Sequence, residues 1–155
     1  MAKGLNYLAN SVALLGYRDR EQGNFTTVAW ITQVSVKPPM VLVNVAPGRY
    51  AYQKIKESGE FTLAILSEEQ KEIADFCGKN SGAKVDKIKE LNLPVVPGEK
   101  VSAPKLTTAI ANLECRLVQE IPVGDHIVLV GEVVADDVPN PAKRPLIFHQ
   151  WKYLD

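Results

Sequence analysis

A chain of 155 residues and 17.1 kDa, with 46% apolar and 23% charged residues, suits one domain over residues 1–155 and requires neither disorder nor a disulfide scaffold. Eighteen Lys and Arg balance eighteen Asp and Glu, so no nucleic-acid partner is expected, although a local basic spot could serve a single phosphate. No run reaches the ~18 apolar residues of a membrane span and residues 1–7 lack the apolar stretch of a signal peptide, so a cytoplasmic location without a membrane partner is expected.

Residues 12–17 are an apolar run ending in the charged turn 18–23. Residues 24–31, rich in Thr, Val, Phe and Trp, follow as its hairpin partner. Residues 40–45 form a third strand between Pro38-Pro39 and Pro47-Gly48. Residues 50–58 read as a short helix with Tyr52 and Ile55 inward and Gly59 as its C-cap. A strand over 60–66 alternates Phe61, Leu63 and Ile65 against polar or small neighbours. Ser67 and Gln70 have the spacing of a capping box for a helix that ends near Gly78. Then come a loop over 79–82, a helix over 85–91 and a connector over 101–104. Two long strands, 109–121 and 126–136, are joined by residues 122–125, and a last strand covers 146–153. Strands outnumber helices and most neighbours are linked by turns. The fold class is therefore mainly β with a few helices, an antiparallel barrel or sandwich.

Several chemistries lack their motifs. The sequence has no G-x-G-x-x-G, P-loop, G-x-S-x-G or H-E-x-x-H pattern. Cys77 and Cys115 lie far apart and His126 and His149 are the only histidines. A structural zinc site wants about four ligands in close pairs, so no metal is expected and both cysteines read as core residues. The sequon Asn24-Phe25-Thr26 is coincidental in a cytoplasmic chain.

Three clusters carry usable chemistry. The first is Asn24, Thr26, Thr27, Trp30, Thr32, Ser35 and Asn44 on strands or their ends, where polar groups and backbone amides could meet the edge of a flat heteroaromatic ligand. Threonines on strands are equally explained by β-propensity. The second joins Gly48-Arg49-Tyr50 to Ser81-Gly82-Ala83-Lys84-Val85-Asp86-Lys87. Each precedes an expected helix, so backbone N–H groups and cations could hold an anion; solvated surface lysines are the plainer reading. The third is Gly124-Asp125-His126, which places a titratable imidazole either at a barrel mouth or on an exposed turn.

Taken in order, these segments resemble the flavin reductase-like family that binds FMN in a split barrel, and especially its flavoredoxin-type branch. The resemblance rests on residues 24–30, Ser35 with Pro38-Pro39-Met40-Val41, residues 48–52 and 58–61, Ser81-Gly82 with Val85-Asp86-Lys87, Leu113-Glu114-Cys115, and Gly124-Asp125-His126 leading to Gly131-Glu132-Val133. It implies an antiparallel split β-barrel and a homodimer with FMN near the subunit interface. By this likeness Thr26, Thr27, Val28, Ala29 and Trp30 face the ring, and Asn44, Val45 and Ala46 line it from the next strand. Arg49 and the Ser81 to Lys87 segment, with Ser81, Gly82, Lys84 and Lys87, hold the phosphate, Tyr50 also belongs to the cofactor site, and His126 contacts flavin or nicotinamide. Ala51 departs from the family, which often carries Thr there. One neutral hydrogen bond is worth about 0.5–1.5 kcal/mol against about 8 for micromolar binding, so its loss weakens FMN without abolishing binding.

The implied function is an NAD(P)H-dependent oxidoreductase. NADPH or NADH gives hydride to bound FMN, which passes electrons to free flavin, a ferric chelate or an electron-transfer partner protein. No side chain need act as acid or base, because the cofactor carries the chemistry. The alternative is a non-enzymatic FMN electron carrier reduced by a partner protein.

Overall fold

A computed structural model of the chain describes residues 2–154. After a 3₁₀ turn at Lys3–Tyr7, the chain runs through β1 (Asn10–Ser11), β2 (Ala13–Tyr17), β3 (Asn24–Val28), β4 (Ile31–Ser35) and β5 (Met40–Val45). Helix α1 (Tyr50–Ser58), strand β6 (Glu60–Ile65) and helix α2 (Lys71–Lys79) come next, then α3 (Lys87–Glu90), β7 (Val95–Pro97) and β8 (Pro104–Leu106). The long strands β9 (Ala111–Val123) and β10 (His126–Asp137) precede β11 (Ile147–His149) and β12 (Lys152–Tyr153).

Seven strands make the main sheet in the order β3-β2-β6-β9-β10-β5-β4, with every pairing antiparallel. β3 and β4 occupy opposite edges of this sheet, yet only Ala29 and Trp30 separate them in sequence. The three residue steps from Val28 to Ile31 span at most ~11 Å, so the edges must meet at that corner and the sheet must curl. The Asn44 N–H donates to the Trp30 carbonyl at 3.0 Å and fastens the corner to β5. The result is the expected mainly β, antiparallel split barrel. The expected single strand over 24–31 is corrected: it breaks at Ala29-Trp30 and continues on the far edge.

β2 is buried at every position, which a strand achieves only with a core on each face. Ala13, Leu15 and Tyr17 point into the barrel with Val43, Ile55, Phe61 and Leu129. Val12 and Leu14 join a second core with Phe25, Leu66, Ala74, Cys77, Ile88 and Leu106 beneath α2 and α3. Helix α1 buries Ala51 and Ile55 against the barrel interior. Cys77 and Cys115 are both fully buried, and burial pushes their thiols up to about 11 and about 12, as the core reading expects.

The capping-box expectation holds: Ser67 and Gln70 form the box at a 3₁₀ turn, Glu68–Gln70, that leads into α2, and the Gln70 carboxamide oxygen accepts the Ser67 N–H at 2.9 Å. Two other expectations are corrected. The helix over 85–91 is a single turn, Lys87–Glu90, because the Asp86 side chain caps it by accepting the Lys89 N–H. The last strand is two strands, turned back at Gln150-Trp151.

Gly59 ends α1 in the left-handed region at φ 70°, with its N–H on the Ile55 carbonyl at 2.7 Å. No atom crowds the position of a Cβ there, so the backbone conformation alone sets the demand for glycine. Gly59→Ala is expected to lower unfolding stability by about 1–2 kcal/mol, and Gly59→Asn by less, read as shifts in the urea midpoint.

Candidate functional site

The broken corner opens a cleft of about 620 Å³. Thr26, Thr27, Val28, Ala29 and Trp30 line it from β3 and the corner, and Asn44, Val45 and Ala46 line it from β5 and its end, with Arg49 and His126 beside them. Ten of the residues singled out in the sequence thus surround one hollow. Trp30 and His126 stack at one wall, with ring centroids 4.8 Å apart at a 41° tilt. The Nδ1 edge of His126 lies 2.7 Å from the Asp125 carboxylate, which makes Nδ1 the donor and leaves Nε2 for other contacts. Bonding to this imidazole holds Asp125 below its ordinary carboxylate range.

A second hollow of about 360 Å³ adjoins the first, sharing Thr26, Ala46, Arg49, Gly78 and Lys79 with it. The start of α1 (residues 48–51) lines one side, and Ser81, Gly82 and Lys87 line the other. The first turn of α1 carries no acidic residue, so its N–H groups favour negative charge. The Arg49 guanidinium donates to the Thr26 hydroxyl at 3.1 Å, a neutral partner. Lys87 is fully buried, and its ammonium donates to the carbonyls of Phe25 (2.7 Å) and Cys77 (2.8 Å). Among the described residues no carboxylate pairs with either cation.

Several expected residues have other duties. Asn24 holds the 81–87 segment against β3: its amide donates to the Val85 carbonyl at 2.9 Å and its oxygen accepts the Lys87 N–H at 3.2 Å. The Thr27 hydroxyl donates to the Ala74 carbonyl at 2.6 Å and ties down α2. The Tyr50 ring lines the smaller hollow while its hydroxyl donates to Asp19 at 3.0 Å. Ser81 is not a helix start, as α3 begins only at Lys87. The amides of Ala83, Lys84 and Val85 turn back onto Ser81 instead. Gly82 is required there because a Cβ would run into the Tyr17 hydroxyl. Lys84 faces a separate hollow with Phe76 and Asp86, and Thr32 faces an apolar groove on the other side of the sheet. Ser35 lines neither the cleft nor the smaller hollow.

Sequence reasoning missed two parts of the cleft wall. One is Asp75, Gly78 and Lys79 from the end of α2, with Lys79 paired to Asp75 at 2.9 Å. The other is Phe148, Trp151 and Tyr153 from the β11–β12 hairpin. The density of aromatics in 148–153 was the available signal.

The flavin reductase like domain model matches residues 5–155. The chain belongs to the flavin reductase-like family. Within that family it is 38% identical over 114 residues to an uncharacterized protein of Archaeoglobus fulgidus, covering 74% of this chain and 64% of that one. It is 26% identical to the NADH-dependent FMN reductase AsuE2 of Streptomyces nodosus, over 97% of this chain and 80% of that one. Among solved structures it resembles flavoredoxin from Methanosarcina acetivorans, with a TM-score of 0.80, 30% identity and coverage of 90% and 79%. The first curated relatives it matches are longer proteins, of which it spans 41–66%.

Burial pushes the Lys87 ammonium down to about 8, with Arg49 acting in the same direction and Cys77 against it. Above about pH 8 the unfolded chain keeps a proton that folded Lys87 has lost, so stability rises with pH. The raised Cys77 thiol works oppositely above its ordinary value near 9, because there the folded state keeps the proton. A rise confined to between about pH 8 and about 9 is expected in urea unfolding. Lys87→Met should flatten it.

Proposed function

We propose that the chain is an FMN-dependent NAD(P)H oxidoreductase, a flavin reductase that draws hydride from NADH or NADPH. The carrying observation is the joined pair of hollows. A cleft walled by backbone, apolar side chains and the Trp30–His126 stack leads into a pocket holding two cations without a carboxylate between them. A flat ring with an anionic tail matches both ends. Relatives support the reading: besides AsuE2, similar proteins include an NADH:riboflavin 5'-phosphate oxidoreductase of Streptomyces pristinaespiralis at 28% identity and an NADH-dependent FAD reductase of Streptomyces globisporus at 30%.

Held by these residues, FMN would supply the redox chemistry, the capacity to accept a hydride from a nicotinamide and to give electrons to free flavin, a ferric chelate or a partner protein. The residues of the chain bind and orient. Arg49, the start of α1 and Lys87 supply positive potential at the phosphate end, where a charged hydrogen bond is worth about 1.5–3 kcal/mol. The 26–30 segment and residues 44–46 present backbone and small side chains to a flat ring. Trp30 and His126 bound the space into which a nicotinamide stacks. Hydride transfer needs its partners roughly 3–3.5 Å apart, so alignment is the task of these walls.

We further propose a homodimer. A groove of about 640 Å³ runs over the open side of the barrel, lined by apolar side chains that include Ile31, Met40, Val41, Ile65, Leu113 and Val133. Val34 and Val36 stand exposed nearby. A second copy covering this face would remove that apolar surface from water. Light scattering is expected to give twice the 17.1 kDa chain mass, and Val34→Asp or Val36→Asp, both at exposed positions, should return the monomer.

The purified protein is expected to be yellow or to take up added FMN, and to bleach anaerobically with NADH or NADPH. Bleaching by neither donor would leave the carrier reading in its place, and failure to take up flavin would end both. Arg49→Ala should weaken FMN about tenfold or more while leaving riboflavin affinity little changed, measured by quenching of flavin fluorescence.

A further inference from the structure

The turn between β11 and β12 has Gln150 at φ 52° and Trp151 at φ 61°. Both central residues of this two-residue hairpin sit in the left-handed region, where Asn-Gly would be the ordinary pair and a bulky side chain is an outlier. Strain of this kind persists only where the surroundings enforce it, and it gathers at functional sites. Here the surroundings do enforce it. The Gln150 N–H donates to the Asn6 carbonyl at 2.8 Å, and the Trp151 indole N–H donates to the Asn6 side-chain oxygen at 2.8 Å. The Phe148 ring meets the indole edge-on, at 5.9 Å and 89°.

The indole so fixed is 65% exposed and lines the larger cleft. Its one hydrogen-bond donor is already used by Asn6, so what it can still offer a ligand is its π face. The smaller, cationic hollow does not include Trp151. A group stacked on the indole therefore lies at the ring end of the site, away from the phosphate.

We propose that Trp151 is a specificity-determining stacking wall for a planar heteroaromatic ring in the cleft, supplied by either the flavin or the pyridine nucleotide. The assignment rests on the flavin reductase reading and deepens it. It also gives the strained turn a purpose: glycine would relax the backbone and remove the most exposed of the three rings, Phe148, Trp151 and Tyr153, on that side of the cleft.

The test uses Trp151→Gly and Trp151→Phe in the full chain. The glycine variant relieves the positive φ but gives up the Asn6 hydrogen bond and the Phe148 contact, so its unfolding midpoint is measured alongside and titrations are made where each protein is fully folded. FMN and oxidised NAD are titrated separately into each protein, and KM and kcat for NADH are measured at saturating FMN. Stacking energies per base correspond to about fivefold or more, so W151G should weaken one ligand by at least that factor while W151F keeps most of the affinity. A raised FMN Kd identifies the stacked ring as the flavin. An unchanged FMN Kd with a raised KM for NADH identifies it as the nicotinamide. If the unsubstituted protein binds and reduces flavin and W151G does so equally well, the inference fails while the flavin reading stands. The same holds if W151G changes only the oligomeric state. If the unsubstituted protein takes up no flavin, both fail together.

Discussion

The two-residue link at Ala29-Trp30 is the constraint on which the barrel and its cleft both depend. It joins strands on opposite edges of a seven-stranded sheet, and covalent reach alone forbids that sheet from lying flat. Curling brings β3 beside the end of β5 and leaves a gap where neither strand continues a ladder to the other. Backbone that would otherwise be spent on pairing is exposed at a corner, next to small side chains such as Ala29 and Ala46. Planar ligands suit such a corner because little side-chain bulk lies in the way. The cleft is thus a consequence of connectivity, and the residues around it refine a space that the chain path has already created.

Electrostatics give the space a direction. A buried ammonium is ordinarily paired, since desolvation without a partner is costly. Lys87 instead relies on two main-chain carbonyls, and Arg49 on a threonine hydroxyl. Carbonyl dipoles stabilise the charge only in part, which is why burial still draws Lys87 down to about 8. The proposed phosphate site lies between α1 and the 81–87 segment, where these two cations face the smaller hollow. Lys87 also ties β3 to the end of α2, so the charge that favours the anion lies within the scaffold that shapes its pocket.

Strands and their faces were legible because apolar alternation and turn residues speak locally. The α1 boundaries, the Gly59 cap and the long β9–β10 hairpin all announce themselves within a few residues, although Pro122 and Val123, expected in the connection, pair with β10 and leave only Gly124-Asp125 as the turn. The break within 24–31 was not legible: Val28, Ala29 and Trp30 all suit a strand, and only the pairing of Ile31 with Val43 across the sheet decides the matter. The β11–β12 turn was hidden for the opposite reason. Gln-Trp carries no hairpin signal, and it is Asn6, more than 140 residues away, that holds it. Candidate residues from the 26–30 and 44–49 segments converge on the cleft because the Asn44 N–H, bonded to the Trp30 carbonyl, brings the end of β5 beside the corner. Lys84 and Lys87 could not be told apart in sequence, since only tertiary packing turns one to an outer hollow and buries the other.

The two cores of the protein explain why a site so dependent on chain path can also be rigid. β2 lends alternate residues to the barrel interior and to the layer beneath α2 and α3, so the barrel cannot shift without disturbing the helices that carry Gly78, Lys79 and Lys87. Asn24 and Thr27 on β3 repeat the linkage with hydrogen bonds to Val85 and Ala74. Threonines and an asparagine that look like ligand-binding groups in sequence therefore serve largely to hold the second layer against the first. Buried polar groups of this kind fix a single register, because every alternative leaves a donor or acceptor unpaired. Both hollows take walls from each layer, β3, β5 and α1 on one side and α2 with the 81–87 segment on the other, and the spacing of those walls is set by these few cross-layer bonds. Polar bonds hold that spacing constant where apolar packing alone would let the layers slide.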